Sequence, residues 1–294
     1  MRSTIATYLS NRGLFAPMLA ALVLSFPAIA GQGLIFSVQR DGGLRSYLVG
    51  TMHSEDERVT GLIRYFTPLI EEVEVLAIEM VPDAVTLLAV GAATLLPPDQ
   101  SLRGLVGDDQ FRALSEAASD RGLSPDVLNR LKPWAAAVTL GMPASRTGRF
   151  LDMEIYLQAL QLQRRIVGLE TAAEQLAVFD GMAPEVQLIL LAEMIKNAPQ
   201  MPKQLEELTA VYLEGDLELI DRFARAQYAG MPDSIMRWFD DRLLDQRNER
   251  MLNRLPQLLD GASVLVAVGA MHLAGDTGLV AGLRRLGYQV ERRH

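Results

Sequence analysis

Two stretches far apart in the chain end in the same way. Tyr47-Leu48-Val49 runs into Gly50-Thr51-Met52-His53, and Val266-Ala267-Val268 runs into Gly269-Ala270-Met271-His272. An apolar, β-branched run that stops at glycine reads as a buried strand meeting a tight loop. With 23 glycines in 294 residues, a glycine three places before a given histidine arises from composition about 8% of the time. Two of the three histidines follow that pattern, so the repeat reads as a duplicated strand-loop unit. It predicts two strand ends in one sheet and draws His53 and His272 towards a common site. A lone histidine is more often a satisfied structural residue; the matched pair reverses that expectation.

The remaining strand signals sit around the two copies. Residues 34–39 and 46–49 flank Asp41-Gly42-Gly43, a hairpin signature. A helical stretch at about 61–72 leads to the β-branched run 73–78, a buried strand, and 165–169 and 263–268 read as further strands. Near the end, Leu279, Val280, Leu283 and Leu286 fall at helical spacing, Gly287 stops that helix, and 288–291 is extended. Between these segments helical periodicity dominates, broken by prolines at 97, 98, 125, 133, 184, 199, 202 and 232. The predicted fold is α/β: a small mixed β-sheet built from both chain ends, with large helical insertions at about 83–164 and 172–259. No linker signal divides 31–294, so it reads as one domain.

Carboxylates end two of the predicted strands: Glu79 follows 75–78 directly, and Glu170 follows 166–169. In open α/β sheets ligands bind beyond the carboxyl ends of parallel strands. If the four strands are parallel neighbours, His53, Glu79, Glu170 and His272 meet in one crevice. Two imidazoles and a carboxylate can hold zinc or manganese while a second carboxylate takes a proton from bound water. Each glutamate could instead cap a following helix, Glu170 standing just before the helix from Ala172.

Composition removes other chemistries. There are no cysteines, which excludes disulfide scaffolds, thiolate zinc sites and thiol nucleophiles. A net charge of -8 with 6% aromatic residues lacks the basic footprint and stacking platforms of nucleic-acid binding. No Gly-x-Ser-x-Gly elbow occurs, and Ser54 beside His53 does not make a serine hydrolase. The first thirty residues carry Arg2 and Arg12, an apolar run from Leu14 to Phe26 and the sequence Ala28-Ile29-Ala30, the pattern of a secretory signal peptide. Cleavage there predicts a periplasmic or secreted chain from Gly31 with 26 basic and 36 acidic residues and no stable membrane span.

Gly50-Thr51-Met52-His53 after a hairpin, Glu79-Met80 at a strand end, Lys132-Pro133-Trp134, Val167 to Thr171, Arg247-Asn248 and the closing Val268-Gly269-Ala270-Met271-His272 stretch together resemble the TraB/GumN family. Its relatives include the Tiki proteins, regarded as metal-dependent proteases, and more distantly the erythromycin-esterase-like fold. The resemblance covers essentially all of 31–294. It implies a mixed-sheet α/β core and a divalent metal ion (zinc, manganese or cobalt) held by His53, His272 and Glu79. Glu79, Glu170 and Arg247 are the implied catalytic groups, Glu79 as ligand or base with Glu170 in the complementary role. One departure is Met251, where the family often has tryptophan.

Read without the family, Arg247 lies among Asp240, Asp241, Asp245 and Glu249 and resembles a surface ion pair, and Lys132-Pro133-Trp134 reads as a helix start with a core tryptophan. His294 is assigned nothing. Two function classes follow: an exported metal-dependent hydrolase acting on a peptide or protein, or a non-catalytic peptide- or metal-binding protein using the same crevice. The sequence gives no oligomeric state.

Overall fold

The computed structural model describes residues 34–293; the signal-peptide reading of 1–30 and His294 lie outside the described residues. A six-stranded mixed sheet forms the centre, in the order β4-β3-β5-β2-β1-β6. β1 (Leu34–Gln39) and β2 (Ser46–Thr51) make the predicted hairpin, whose turn places Gly42 at φ +73°. That left-handed conformation costs glycine nothing. β6 (Gln289–Arg292) pairs antiparallel with β1. β3 (Val75–Ile78), β4 (Arg165–Gly168) and β5 (Val264–Gly269) complete a parallel run with β2. The α/β architecture is therefore as expected.

β2, β3 and most of β5 are buried, as strands covered on both faces must be, and their sequences are correspondingly apolar runs without polar alternation. β4 and β6 are short edge strands with exposed residues and arginines, a pattern that discourages further pairing. Parallel neighbours require crossovers, and helices supply them. α1 (Ile63–Glu72) buries Phe66, Leu69 and Ile70 on the way to β3. The segment from β3 to β4 contains α2 (Ala84–Ala93), α3 (Pro133–Gly141) and α4 (Leu151–Gln161), and α4 returns to the sheet with Leu151, Ile155 and Ala159. From β4 to β5 the chain passes through α5 (Ala172–Asp180) and α6 (Met201–Glu214), then α7 (Gln246–Leu259), which buries Met251, Leu255 and Leu259 against the same core. α8 (Leu279–Arg285) precedes β6.

The intervening helices have a second core, built around Phe111, Leu114, Trp134, Leu140, Leu191 and Ile235. The helical segments are thus shared between two cores: 151–161, 201–228 and 246–259 contribute to the sheet core, and most of the other helices pack into the second cluster. α3 begins as the sequence predicts, with Pro133 at its first position and Trp134 buried. All four parallel strands point their carboxyl ends to one edge of the sheet. The chemistry gathers there.

Candidate functional site

The two copies of the repeated motif lie side by side. β2 and β5 pair in parallel with Gly50 opposite Val268 and Thr51 opposite Gly269. A Cβ at Gly50 would come within 2.9 Å of a Leu34 methyl and 3.2 Å of the Ala270 Cα, so glycine lets the two loops touch. The Tyr212 hydroxyl of α6 donates to the Gly50 carbonyl at 2.8 Å and fixes where the first loop departs.

Glu79, leaving β3, divides its two oxygens between different partners. Oε1 accepts the Gly269 N–H at 2.7 Å and lies 3.9 Å from His272 Nε2. Oε2 accepts from the Arg247 guanidinium at 2.6 Å and from the Gln175 amide at 3.3 Å. Burial opposes ionisation, but His272, Arg247 and the Gly269 N–H outweigh it and hold the Glu79 carboxyl down at about 2. Glu170, leaving β4, is completely buried: Oε2 accepts from Arg247 Nε at 2.8 Å and Oε1 from Arg250 at 2.8 Å. The helix-capping alternative fails for both glutamates, because Asp83 caps α2 and Thr171 caps α5 in a reciprocal box with Glu174. The surface reading of Arg247 also fails, since it is buried between Glu79 and Glu170 at the start of α7. A π-helical segment, Trp238–Asp245, directly precedes it.

His272 is buried, and its Nδ1 donates to Asn248 Oδ1 at 2.7 Å. Burial pushes its pKa below the usual 6.5, with Glu79 pulling the other way. His53 is different: its side chain is 42% exposed, its Nδ1 pairs with Asp152 Oδ2 at 2.7 Å, and its ring stacks on Phe150 at 3.7 Å. The loop that delivers Phe150 and Asp152 is pinned by Glu55, whose carboxylate accepts from the Ser145 hydroxyl and from the backbone N–H groups of Arg146, Thr147 and Gly148.

Two cavities meet at this edge. The larger, about 730 Å³, is reached by His53, Glu79, Asp152 and Gly269; the smaller, about 280 Å³, by His272, Arg247, Glu79 and Gly269. Thr51, Glu79 and Gly269 form the partition between them. The structure therefore brings Glu79, Glu170, Arg247 and His272 into one network and sets His53 on the other side of Glu79. Glu170 lines neither cavity.

Residues 34–292 match the model of the TraB/PrgY/gumN family. The chain belongs to that family. It is similar to the protein named Metalloprotease TIKI1 of Xenopus tropicalis, 23% identical over 87% of this chain and 60% of that protein. A protein of the same name from Danio rerio is 24% identical over 87% of this chain and 62% of its own length. The chain thus spans about three fifths of the curated relatives it matches. No solved structure matches it at a significant level.

The relatives' printed name, metalloprotease, implies a metal ion in those proteins, and the donors here fit one in kind. Asp152 and Asn248 present oxygens to the two histidines, so in the neutral rings Nδ1 carries the proton and Nε2 keeps its lone pair, the arrangement that orients histidine ligands. The fit extends to one pair, His272 Nε2 and Glu79 Oε1. Among the described residues no group of three His, Asp or Glu closes on a single point, because His53 faces the other cavity.

The sequence pattern does not mark Phe150 and Asp152, which lie in the first helical block without a motif, or Glu55, two residues after His53. Asn248 was visible as half of Arg247-Asn248, but nothing in its spacing announced a histidine partner.

Proposed function

We propose that the chain is an exported metal-dependent hydrolase acting on peptides, a leader of residues 1–30 being removed to leave one domain over 31–294. The observation that carries the reading is the 3.9 Å approach of His272 Nε2 to Glu79 Oε1 at the partition between two cavities, with Nδ1 of His272 held by Asn248. His272 and Glu79 would hold the ion at the partition, with His53 joining them from the larger cavity, which Glu79 also lines; a carboxylate kept at about 2 serves better as an anionic ligand than as a proton acceptor. The ion, when bound, polarises a water or a carbonyl. Arg247 holds Glu79 in place and ionised, and Glu170 with Arg250 fixes Arg247 from behind. Asp152 is the carboxylate left to accept a proton: its Oδ1 is buried without a partner among the described residues, and the side chain lines the larger cavity. Among the described residues no helix is long and apolar enough to cross a membrane.

The test measures bound metal by mass spectrometry beside hydrolysis of a mixed peptide library. His53→Ala, His272→Ala and Glu79→Gln should lose metal and turnover together. Asp152→Asn keeps an oxygen for His53 and should keep the metal, while turnover falls by about 10² to 10⁴. Full metal and full activity in both histidine variants would remove the mechanism. The occupation of Glu79 by Arg247 favours a second reading, a binding protein; stoichiometric metal in a wild-type chain that cleaves nothing would establish it.

A further inference from the structure

The larger cavity is far more apolar than its floor. His53, Glu79, Asp152 and Gln175 supply polar groups at the sheet edge, whereas the walls above them are Trp134, Val138, Leu176, Phe179 and Leu131. At about 730 Å³ it lies in the upper part of the range for sites that enclose drug-sized ligands, so it has room for more than one side chain. Water gains little from such walls. A ligand that covers them releases that water, and the release favours binding.

A second observation, at the mouth, points to the same chemistry. α2 and the residues after it, 84–96, carry no charged side chain, and α2 buries none of its residues. Val90 and Thr94 line the cavity, and Leu87 lies on the same helical face, three residues before Val90, at 56% exposure. Val127 and Met142 also line the cavity while remaining 47% and 39% exposed. An apolar track therefore runs from solvent along α2 into the chamber and ends at the His53–Asp152 pair.

We infer that the substrate presents a bulky apolar segment, larger than one aliphatic side chain, which seats in this chamber with its reacting carbonyl at the polar floor. The inference rests on the hydrolase reading for what happens at the floor, but the binding preference stands apart from it. The apolar group can come from peptide side chains or from an acyl chain, and the probes separate these sources.

Calorimetry on the full chain compares acetyl-Leu-Phe-Leu-amide, acetyl-Ser-Gln-Ser-amide and decanoate. The apolar peptide should bind at least tenfold more tightly than the polar one. Val138→Trp, which fills the chamber, should weaken it tenfold or more, and so should the exposed change Leu87→Glu, which cannot disturb the core. Val85→Glu, an exposed change on the opposite face of α2, should leave binding unchanged. Binding of decanoate with no binding of either peptide would support the apolar chamber and assign it an acyl occupant. Equal affinity for the two peptides, or indifference to both Val138→Trp and Leu87→Glu, would overturn the inference. Cleavage of polar peptides without any apolar preference would sink it and leave the hydrolase reading standing. Preference without cleavage of any peptide would do the reverse.

Discussion

His53 and His272 close two copies of one sequence unit, yet their surroundings are opposite. His272 is sealed in, its Nδ1 on a neutral amide and its Nε2 facing a carboxylate that is itself tied to Arg247. His53 stands half in solvent, its Nδ1 on a carboxylate and its ring on Phe150. The shared Gly-x-Met-His sequence reproduces what backbone geometry needs, a strand end and a close approach of two loops. It says nothing about who comes to meet each ring, because those partners arrive from helices tens of residues away. One half of the site is therefore rigid and preorganised, and the other is open to whatever enters the larger cavity.

The largest expected effect would come from breaking the sealed half. Arg247→Ala leaves Glu79 Oε2 and buried Glu170 Oε2 without their cation, which should cost about 3 to 5 kcal/mol of folding stability. His53→Ala removes a solvent-exposed side-chain hydrogen bond and should cost about 1 kcal/mol or less. Urea unfolding of both variants measures the contrast. Equal losses would mean that the two halves are not distinguished by burial.

Next in size are the groups that aim the rings. Asn248→Ala removes the acceptor for His272 Nδ1 and Asp152→Ala the acceptor for His53 Nδ1. Each should weaken metal binding by about 10- to 100-fold, read by competition with a chelating dye. Only Asn248→Ala should also lower stability, by about 1 to 3 kcal/mol, since it leaves a buried N–H unpaired while the His53 ring can turn to water. If neither variant changes metal affinity, the Nδ1 partners are packing and the paired-ligand picture fails.

The same contrast explains how much the sequence disclosed. Strands were legible because buried parallel strands are apolar along their whole length, and their ends because glycine and a polar residue stop the run. Glu79 and Glu170 were placed at strand ends by the same logic. What those ends touch was not legible. Arg247 looked like a surface residue among aspartates, because a helix shows its acidic neighbours in sequence but not the face it turns inward. Asp152 and His53 are 99 residues apart, and Glu55 reaches a loop about 90 residues away. Side chains that meet by tertiary packing leave no local period to read.

The smallest effect is a pH dependence that belongs to His272 and separates it from the carboxylates around it. Burial depresses the His272 pKa below 6.5 in the folded chain, against the pull of Glu79 and Glu170 and with the push of Arg247. A depressed folded-state pKa means that the unfolded chain binds the proton more readily, so this contribution to stability is fully present above about pH 6.5 and is lost as pH falls from there. Glu79 has the same sign in a lower window: held at about 2 against 4.5 for a free glutamate, it contributes stability above about pH 4.5 that is lost below it. Acid should therefore act in two stages, the first from the imidazole and the second from the carboxylate. His272→Gln keeps a polar side chain beside Asn248 but cannot titrate, so its unfolding free energy should be flatter than that of the wild type from pH 6.5 to 5, while the decline below pH 4.5 persists. Urea titrations at half-unit intervals resolve the two windows. An unchanged slope between pH 6.5 and 5 in His272→Gln would show that the buried ring is not the group being charged, and the sealed half of the site would lose its electrostatic distinction from His53.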